Sequence, residues 1–396
     1  MADISVGRRS QRSSVAWWRD ERKRGLIWQI LVVAVLGLGI WLVIQNMVAN
    51  LRAMGVPLGF GFLDAPAGFA ISFSLIPTNL NSSIGRLIFA GMLNTLMASA
   101  ISIVIATIIG VVIGICRLSK NYLISRLATA YVEAVRNVPL LVQLLFWYEA
   151  TIQLFPNVRQ AASLLDLVFL SNRGVYMPRP LPQEDFGIVL MALLVGLVIA
   201  FIIAYWARRR QEATGQQFPK VRVGIGIVIG LPLLVSLLLG NPVEWQIPEL
   251  KGFNFQGGLV VQPELAALVL GMSTYTAAFI AEIVRGGILA ISHGQTEASY
   301  ALGLRPGTTL RLVIIPQSLR IIVPPMTSQY LNVVKNTTLA GAIAYPDLFS
   351  IIGTSLNQTG RAVENIAIMM VFFLIISLLI SLFMNWYNKR IALVER

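Results

Sequence analysis

The 396-residue chain is 56% hydrophobic and only 12% charged, against about 45–50% and about 25% in soluble domains. Its 31 Lys and Arg outnumber its 18 Asp and Glu, for a net charge of +13. These values exclude an ordinary soluble enzyme, a disordered chain and a collagen-like fibre, and leave a polytopic membrane protein. The basic residues cluster between apolar runs, as the positive-inside rule requires, so no nucleic-acid partner is expected. The lone Cys116 has no partner for an internal disulfide, and the lone His293 cannot build a multi-His metal site. No metal site and no catalytic residue are expected.

About eight spans are predicted in an all-α bundle. A tail bearing Arg8, Arg9, Arg12, Arg19, Arg22, Lys23 and Arg24 precedes the first apolar run, 26–44. No small-residue cleavage site follows, so the run reads as an uncleaved span. The second run, 88–116, has no charge. The third, 127–148, is weaker and contains Glu133, Arg136 and Pro139. Next come 186–206 and 223–239, the latter with Pro232. The last three are 259–281 with Glu264, 312–334 with Arg320, Pro316, Pro324 and Pro325, and 366–387. Loops at 154–185 and 241–258 flank the fourth and fifth spans, which read as an inserted hairpin. Both termini are expected in the cytoplasm. That orientation puts inside Arg117, Lys120 and Arg126; Arg208, Arg209, Arg210, Lys220 and Arg222; Arg285, Arg305 and Arg311; and Lys389, Arg390 and Arg396. Omitting the third span would turn the Arg208-Arg209-Arg210 cluster outward. Trp17, Trp18, Trp28, Trp147, Trp206, Trp386 and Tyr387 read as interfacial anchors. Gly110 and Gly114 permit close helix contact, within the chain or at a subunit interface.

The most informative stretch is Gly294-Gln295-Thr296-Glu297-Ala298-Ser299-Tyr300-Ala301-Leu302-Gly303, followed after nine residues by Val313-Ile314-Ile315-Pro316. Residues 297–301 suit a short helix capped by Thr296 or Ser292. Gly303 suits a helix-ending left-handed position, and Pro306-Gly307 a turn. The expectation is a short cytoplasmic surface helix between two spans. His293 beside it reads as a solvated histidine, with a pH sensor as the alternative.

Charge near the bilayer centre costs about 2.5–3.5 kcal/mol on the gentler insertion scale. Glu133, Arg136, Glu264, Arg320 and Lys335 therefore need partners, water or interfacial places. Arg136, Asn137, Gln143 and Asn336 fit a polar substrate path. Pro139 and Pro324-Pro325 are expected to break their helices and free backbone groups along it. Structural pairing at span ends is the alternative.

The Glu297-Ala298-Ser299 to Pro316 spacing resembles the EAA loop of importer-type ABC permeases: Glu-Ala-Ala, three residues, Gly, nine residues, Ile-x-Leu-Pro. Ser299, Val313 and Ile315 depart from that pattern while keeping size and polarity close. Gly91-Met92-Leu93-Asn94-Thr95-Leu96, the run from Tyr131 to Gln143, the run from Ala278 to Ile288, and Lys335-Asn336-Thr337-Thr338-Leu339 resemble the polar amino-acid subfamily, the His/Glu/Gln/Asp-type importers. Asn137-Val138 stands where that subfamily has Gly-Thr.

The resemblance implies a bacterial inner-membrane permease of the binding-protein-dependent type, working by alternating access. It implies an ATPase-coupling role for Glu297, Ala298, Ser299, Gly303 and Pro316. It implies as partners a separate ABC ATPase homodimer, a second related permease, a periplasmic solute-binding protein and an amino-acid substrate. The organisation it implies has 1–87 as basic tail, first span and periplasmic segment. The permease domain follows at 88–388, with 156–258 inserted and 285–311 the coupling loop, and then a tail at 389–396. The chain has no Gly-x4-Gly-Lys-[Ser/Thr] run for nucleotide phosphates, so it is expected to bind no cofactor. One rival is an ion-coupled secondary transporter, which needs no ATPase-docking helix. Another is a membrane enzyme, against which stands the lack of paired-carboxylate and HExxH motifs.

Overall fold

The computed structural model describes residues 21–391 apart from 54 and 56–58. The tail arginines Arg8 to Arg19, Trp17, Trp18 and Arg396 lie outside the described residues.

Helix α1 (Glu21–Ala53) carries its apolar side chains outward, with no part of its apolar window buried inside the chain. A helix apolar all round and unburied by protein matches a lipid-facing span. A 3-10 turn (Phe60–Asp64) leads to α2 (Ile84–Cys116), where Ser83 Oγ accepts from Arg86 N–H at 3.3 Å. Asn121 caps α3 (Tyr122–Asn137), its Oδ1 accepting from the N–H groups of Leu123 and Ile124. Then comes α4 (Leu140–Leu154). The expected single span at 127–148 is therefore two helices. Pro139 disfavours helical backbone at the residue before it, and Val138 is extended (φ −100°, ψ 127°). Together the pair still runs the length of one neighbour, as shown below.

Four short strands follow: β1 (Ala162–Leu164), β2 (Val168–Ser171), β3 (Gly174–Met177) and β4 (Arg179–Pro182). The hairpin α5 (Phe186–Thr214) and α6 (Lys220–Leu238) comes next, its helices packed on each other and ended respectively by Gly215 in the left-handed region and by Leu239. Four more strands return: β5 (Val243–Gln246), β6 (Glu249–Lys251), β7 (Asn254–Gln256) and β8 (Leu259–Val261). These strands are the exception to an otherwise helical chain. The order β1-β2-β3-β8 makes one antiparallel sheet, while β4 pairs with β5 and β6 with β7. The two flanks of the α5–α6 hairpin are thus zipped together twice, and Val158, Tyr176 and Phe255 give the module its own small core.

Helix α7 (Pro263–Leu289) begins four residues later than the apolar run at 259–281 suggests and extends beyond it. Pro263 suits a helix N1 position because it lacks the N–H that would be orphaned there. The preceding Leu259-Val260-Val261 pairs with β3 instead. After α7 come α8 (His293–Ala301), α9 (Pro306–Thr309), a π-turn (Leu310–Ile314) and α10 (Ile315–Asn336). A 3-10 turn (Thr337–Ile343), α11 (Leu348–Thr359) and α12 (Ala362–Ile391) complete the chain.

Pro324 and Pro325 do not break α10, contrary to the sequence expectation. Ile322, Val323 and Met326, on either side of them, are buried in one cluster with α2, α7 and α12 residues, and that packing holds the helix across the lost hydrogen bonds. The break comes later, at Ala344 (φ 58°), where the segment from Pro306 to Ile343 bends 56° into α11. Among the described residues six helices are long and apolar enough to cross a bilayer, or seven with this bent pair counted as one span.

Helix α7 is the hub. A Cβ at Gly110 of α2 would lie 2.6 Å from Ile280 Cβ and 2.9 Å from the Ala277 carbonyl, and one at Gly114 2.8 Å from the Ala281 carbonyl. The glycine pair therefore serves contact within the chain. Leu144 of α4 fills the space over Gly271, and Ile322 of α10 the space over Gly287. Val132 of α3 packs with Ala278 and Ala281. Tyr131 donates to the Thr274 carbonyl at 2.7 Å, and Tyr148 to Glu264 at 3.4 Å. So α3 lies along the second half of α7 and α4 along the first, and the two make one crossing interrupted at Val138-Pro139.

Gly110→Ala forces α2 and α7 apart, and overpacking of this kind costs about 1–3 kcal/mol. Thermal unfolding in detergent should shift down accordingly. Gly286→Ala, where nothing lies within 4 Å of the new methyl, should leave the transition unmoved or raise it.

Candidate functional site

The loop between α7 and α10 folds as its residues dictate. Ser292 holds the N-cap backbone conformation of α8 (φ −60°, ψ 140°), though neither its hydroxyl nor that of Thr296 supplies the expected side-chain cap. The helix starts at His293, four residues before Glu297. At the other end Gly303 adopts φ +76°, as expected. Leu304 N–H donates to the Ser299 carbonyl at 3.1 Å and Gly303 N–H to the Tyr300 carbonyl at 2.9 Å. This is the Schellman pattern, which satisfies carbonyls that a helix end would otherwise orphan. Nothing crowds Gly303, so its constraint is purely conformational.

Glu297, Ala298, Tyr300 and Leu302 are exposed, Leu302 at 81%, while Ser299 is buried beneath them and donates to the Gln295 carbonyl at 2.6 Å. Glu297 meets only His293 Nδ1, at 3.1 Å, among the described residues. The exposed face of α8 thus offers one carboxylate among both polar and apolar side chains, His293 and Gln295 with Ala298 and Tyr300. The helix is tied down: Gln317 of α10 donates to Gln295 Oε1 at 3.2 Å. Pro316 sits just past the π-turn, where it brings no N–H to the change of helical register.

Beside this helix lies a cluster that the sequence reading counted only as loop cations. Glu282 of α7 binds Arg117 at the end of α2 and Arg285 one turn along α7, the latter at 2.7 Å. The i,i+3 spacing of Glu282 and Arg285 was its one sequence signal; nothing in the sequence paired Arg117 with it. Nearby in chain order, Arg320 Nε donates to the Ile391 carbonyl at 2.9 Å. The ends of α2, α7 and α12 and the start of α10 therefore share one side of the bundle with α8.

The proposed path residues are partly brought together. Arg136 lies 5.1 Å over the Phe279 ring of α7. Asn137 ends α3, exposed, next to exposed Pro139. The Gln143 amide donates to the carbonyls of Val135 and Val138 at 2.8 and 2.9 Å. It caps the end of α3 that Pro139 leaves open. Asn336 ends α10, and the 3-10 turn after it packs on α4 through Ala340 and Ile343 against Leu140 and Leu144. Of the other charges in apolar segments, Glu133 and Lys335 are exposed.

A second polar group that the sequence did not mark holds the break before α11. Asn94 donates to the carbonyls of Phe73 and Pro346, Tyr345 donates to the Asn94 carbonyl, and Leu348 N–H donates to Thr95. Asp347, fully buried, caps α11 by accepting from Ser350 N–H at 2.9 Å.

Residues 106–393 match the family model described as the binding-protein-dependent transport system inner membrane component. The chain is 50% identical over 375 residues to the putative amino-acid ABC transporter permease protein YhdX of Escherichia coli K12, covering 94% of this chain and 95% of that one. It is 46% identical over 377 residues to the general L-amino acid transport system permease protein AapQ of Rhizobium johnstonii, covering 95% and 94%. It is 40% identical over 409 residues to the glutamate/glutamine/aspartate/asparagine transport system permease protein BztB of Rhodobacter capsulatus, covering 95% and 96%. This helical, multi-pass chain belongs to the family of inner-membrane components of binding-protein-dependent transport systems, and is a transport subunit, not an enzyme.

Proposed function

We propose that the chain is the permease of an ABC importer that carries L-amino acids, with polar, acidic and amide side chains in its range. The names of the relatives support this substrate class. In this reading a solute-binding protein delivers the amino acid on the β-module side. A separate ATPase, acting as a homodimer, docks on α8 from the cytoplasm, and a second related permease completes the pore. Both termini and α8 share the cytoplasmic side, in keeping with Arg117, Arg208, Arg209, Arg210, Arg285, Arg305, Arg311, Lys389 and Arg390.

The observation that carries the proposal is an exposed helix, closed at its C-terminal end by Gly303 and fastened to the spans on both sides. A short exposed helix of mixed polar and apolar side chains with one carboxylate suits a groove in a partner. Force on α8 passes to α10 through Gln295 and Gln317, and to α7 through a linker of three residues, Ala290 to Ser292. Glu282 then joins α7 to α2. Rigid-body movement of this set would open the bundle alternately to either side. The interruption at Val138-Pro139 gives the crossing a joint, with Arg136 and Asn137 beside it, where backbone groups can line a polar path.

Two substitutions test the coupling. Glu297→Lys reverses the one exposed charge on α8. Uptake into proteoliposomes holding the importer, its ATPase and its binding protein should fall at least about tenfold, the effect of losing about 1.4 kcal/mol of docking energy. The amount of inserted protein should be unchanged. Undiminished uptake would instead favour ion coupling without an ATPase. Gly303→Val puts a β-branched residue at φ +76°, at a cost of about 1–2 kcal/mol. Amide exchange across 293–304 should quicken and uptake fall. Gly303→Asn, which tolerates this backbone region, should retain most of both.

A further inference from the structure

At the end of α7 away from α8, a cavity of about 520 Å³ opens between the β-module and the tops of α4 and α7. The size suits a small ligand. Its lining includes one cation, Arg173 in the β2–β3 turn, and one carboxylate, Glu264 in the first turn of α7. The two do not close an ion pair among the described residues, so neither charge is neutralised by the other. Arg173 spends one donor on the Phe253 carbonyl at 3.0 Å, and a guanidinium has five. Among the described residues Glu264 meets only the Tyr148 hydroxyl, at a long 3.4 Å.

Further polar capacity is unspent. Gln262 donates to the Ser72 carbonyl at 2.7 Å, while its buried Oε1 has no partner. Asn254 accepts from Tyr176 at 2.8 Å, which leaves its NH2 group to donate. Phe255 and Val260 supply the apolar wall.

We infer that this cavity is a receiving site for a zwitterionic α-amino acid, with Arg173 on the α-carboxylate and Glu264 on the α-ammonium. The inference rests on the amino-acid importer reading above and adds a place where the amino acid waits before entering the bundle. The cavity's charges sum to zero, as a zwitterion's do. An anion would meet Glu264 and a cation Arg173, at a cost in either case. Recognition through the groups common to all amino acids leaves the side chain little constrained, so the site discriminates weakly among side chains. The inserted module supplies Arg173 and Asn254, and the bundle supplies Glu264, so neither part binds alone.

The test uses proteoliposomes holding the assembled importer. Uptake of a panel of radiolabelled L-amino acids, with binding protein present, identifies the best-transported member. Equilibrium binding of that amino acid is then measured with the binding protein left out. Saturable binding is expected. Arg173→Gln and Glu264→Gln should each weaken it about tenfold or more, the loss of one charge-assisted contact. Arg173→Lys should restore part of it. The N-acetyl and α-carboxamide derivatives, each lacking one charge, should fail to compete. If wild type takes up amino acids but shows no saturable binding, or if both glutamine variants bind as wild type, or if the blocked derivatives compete equally, the receiving site is wrong and the importer reading stands. If wild type takes up no member of the panel, both fall.

Discussion

Close backbone contact around α7 is the constraint on which the rest depends. In a bilayer the apolar effect does not drive helices together, because lipid tails are as apolar as leucine. What remains is packing, and packing is best where small residues let helices approach. On α7, Gly271, Ala277, Ala278, Ala281 and Gly287 fall at the contacts with α4, α2, α3 and α10. On α2, Gly110 and Gly114 answer them. Larger residues at these points would separate the helices and, with them, the parts that the helices position.

Because α7 is a single unbroken helix of 27 residues, it spans about 40 Å and joins the β-module side of the bundle to the α8 side. Its first turn carries Glu264, under the β-module. Its last turns carry Glu282 and Arg285, next to α8. Its neighbours differ in kind. The α3–α4 crossing is jointed at Pro139, and the stretch from α10 to α11 is bent at Ala344. A continuous helix thus lies between two interrupted elements. The buried polar contacts of Asn94, Tyr345 and Asp347 fix where the second joint lies.

The inserted module follows a different logic. Strands β3 and β8 and strands β4 and β5 pair before and after the α5–α6 hairpin. The hairpin itself buries little against the bundle, with 6% of each apolar window buried. The module is thus fastened at its base by backbone hydrogen bonds, and its helices remain available to lipid or to another subunit.

Composition and apolar run length were enough to read a polytopic helical bundle, since they reflect the cost of putting polar groups in lipid. The spacing of Glu297, Gly303 and Pro316 was enough to read a short helix between two spans and its Gly303 end, set by local backbone preference, but not its start at His293 or its lack of a side-chain N-cap. Pro139 likewise broke its helix, as a proline forces on the residue before it. Two things were settled only by tertiary contacts. Pro324 and Pro325 stayed helical because buried neighbours hold α10 together. Leu259-Val260-Val261 became a strand because β3, far away in sequence, offered it a partner. Local chemistry writes helix ends and membrane segments into the sequence; which distant groups meet, and so which charges share a cavity or a carboxylate, is decided only when the whole chain packs.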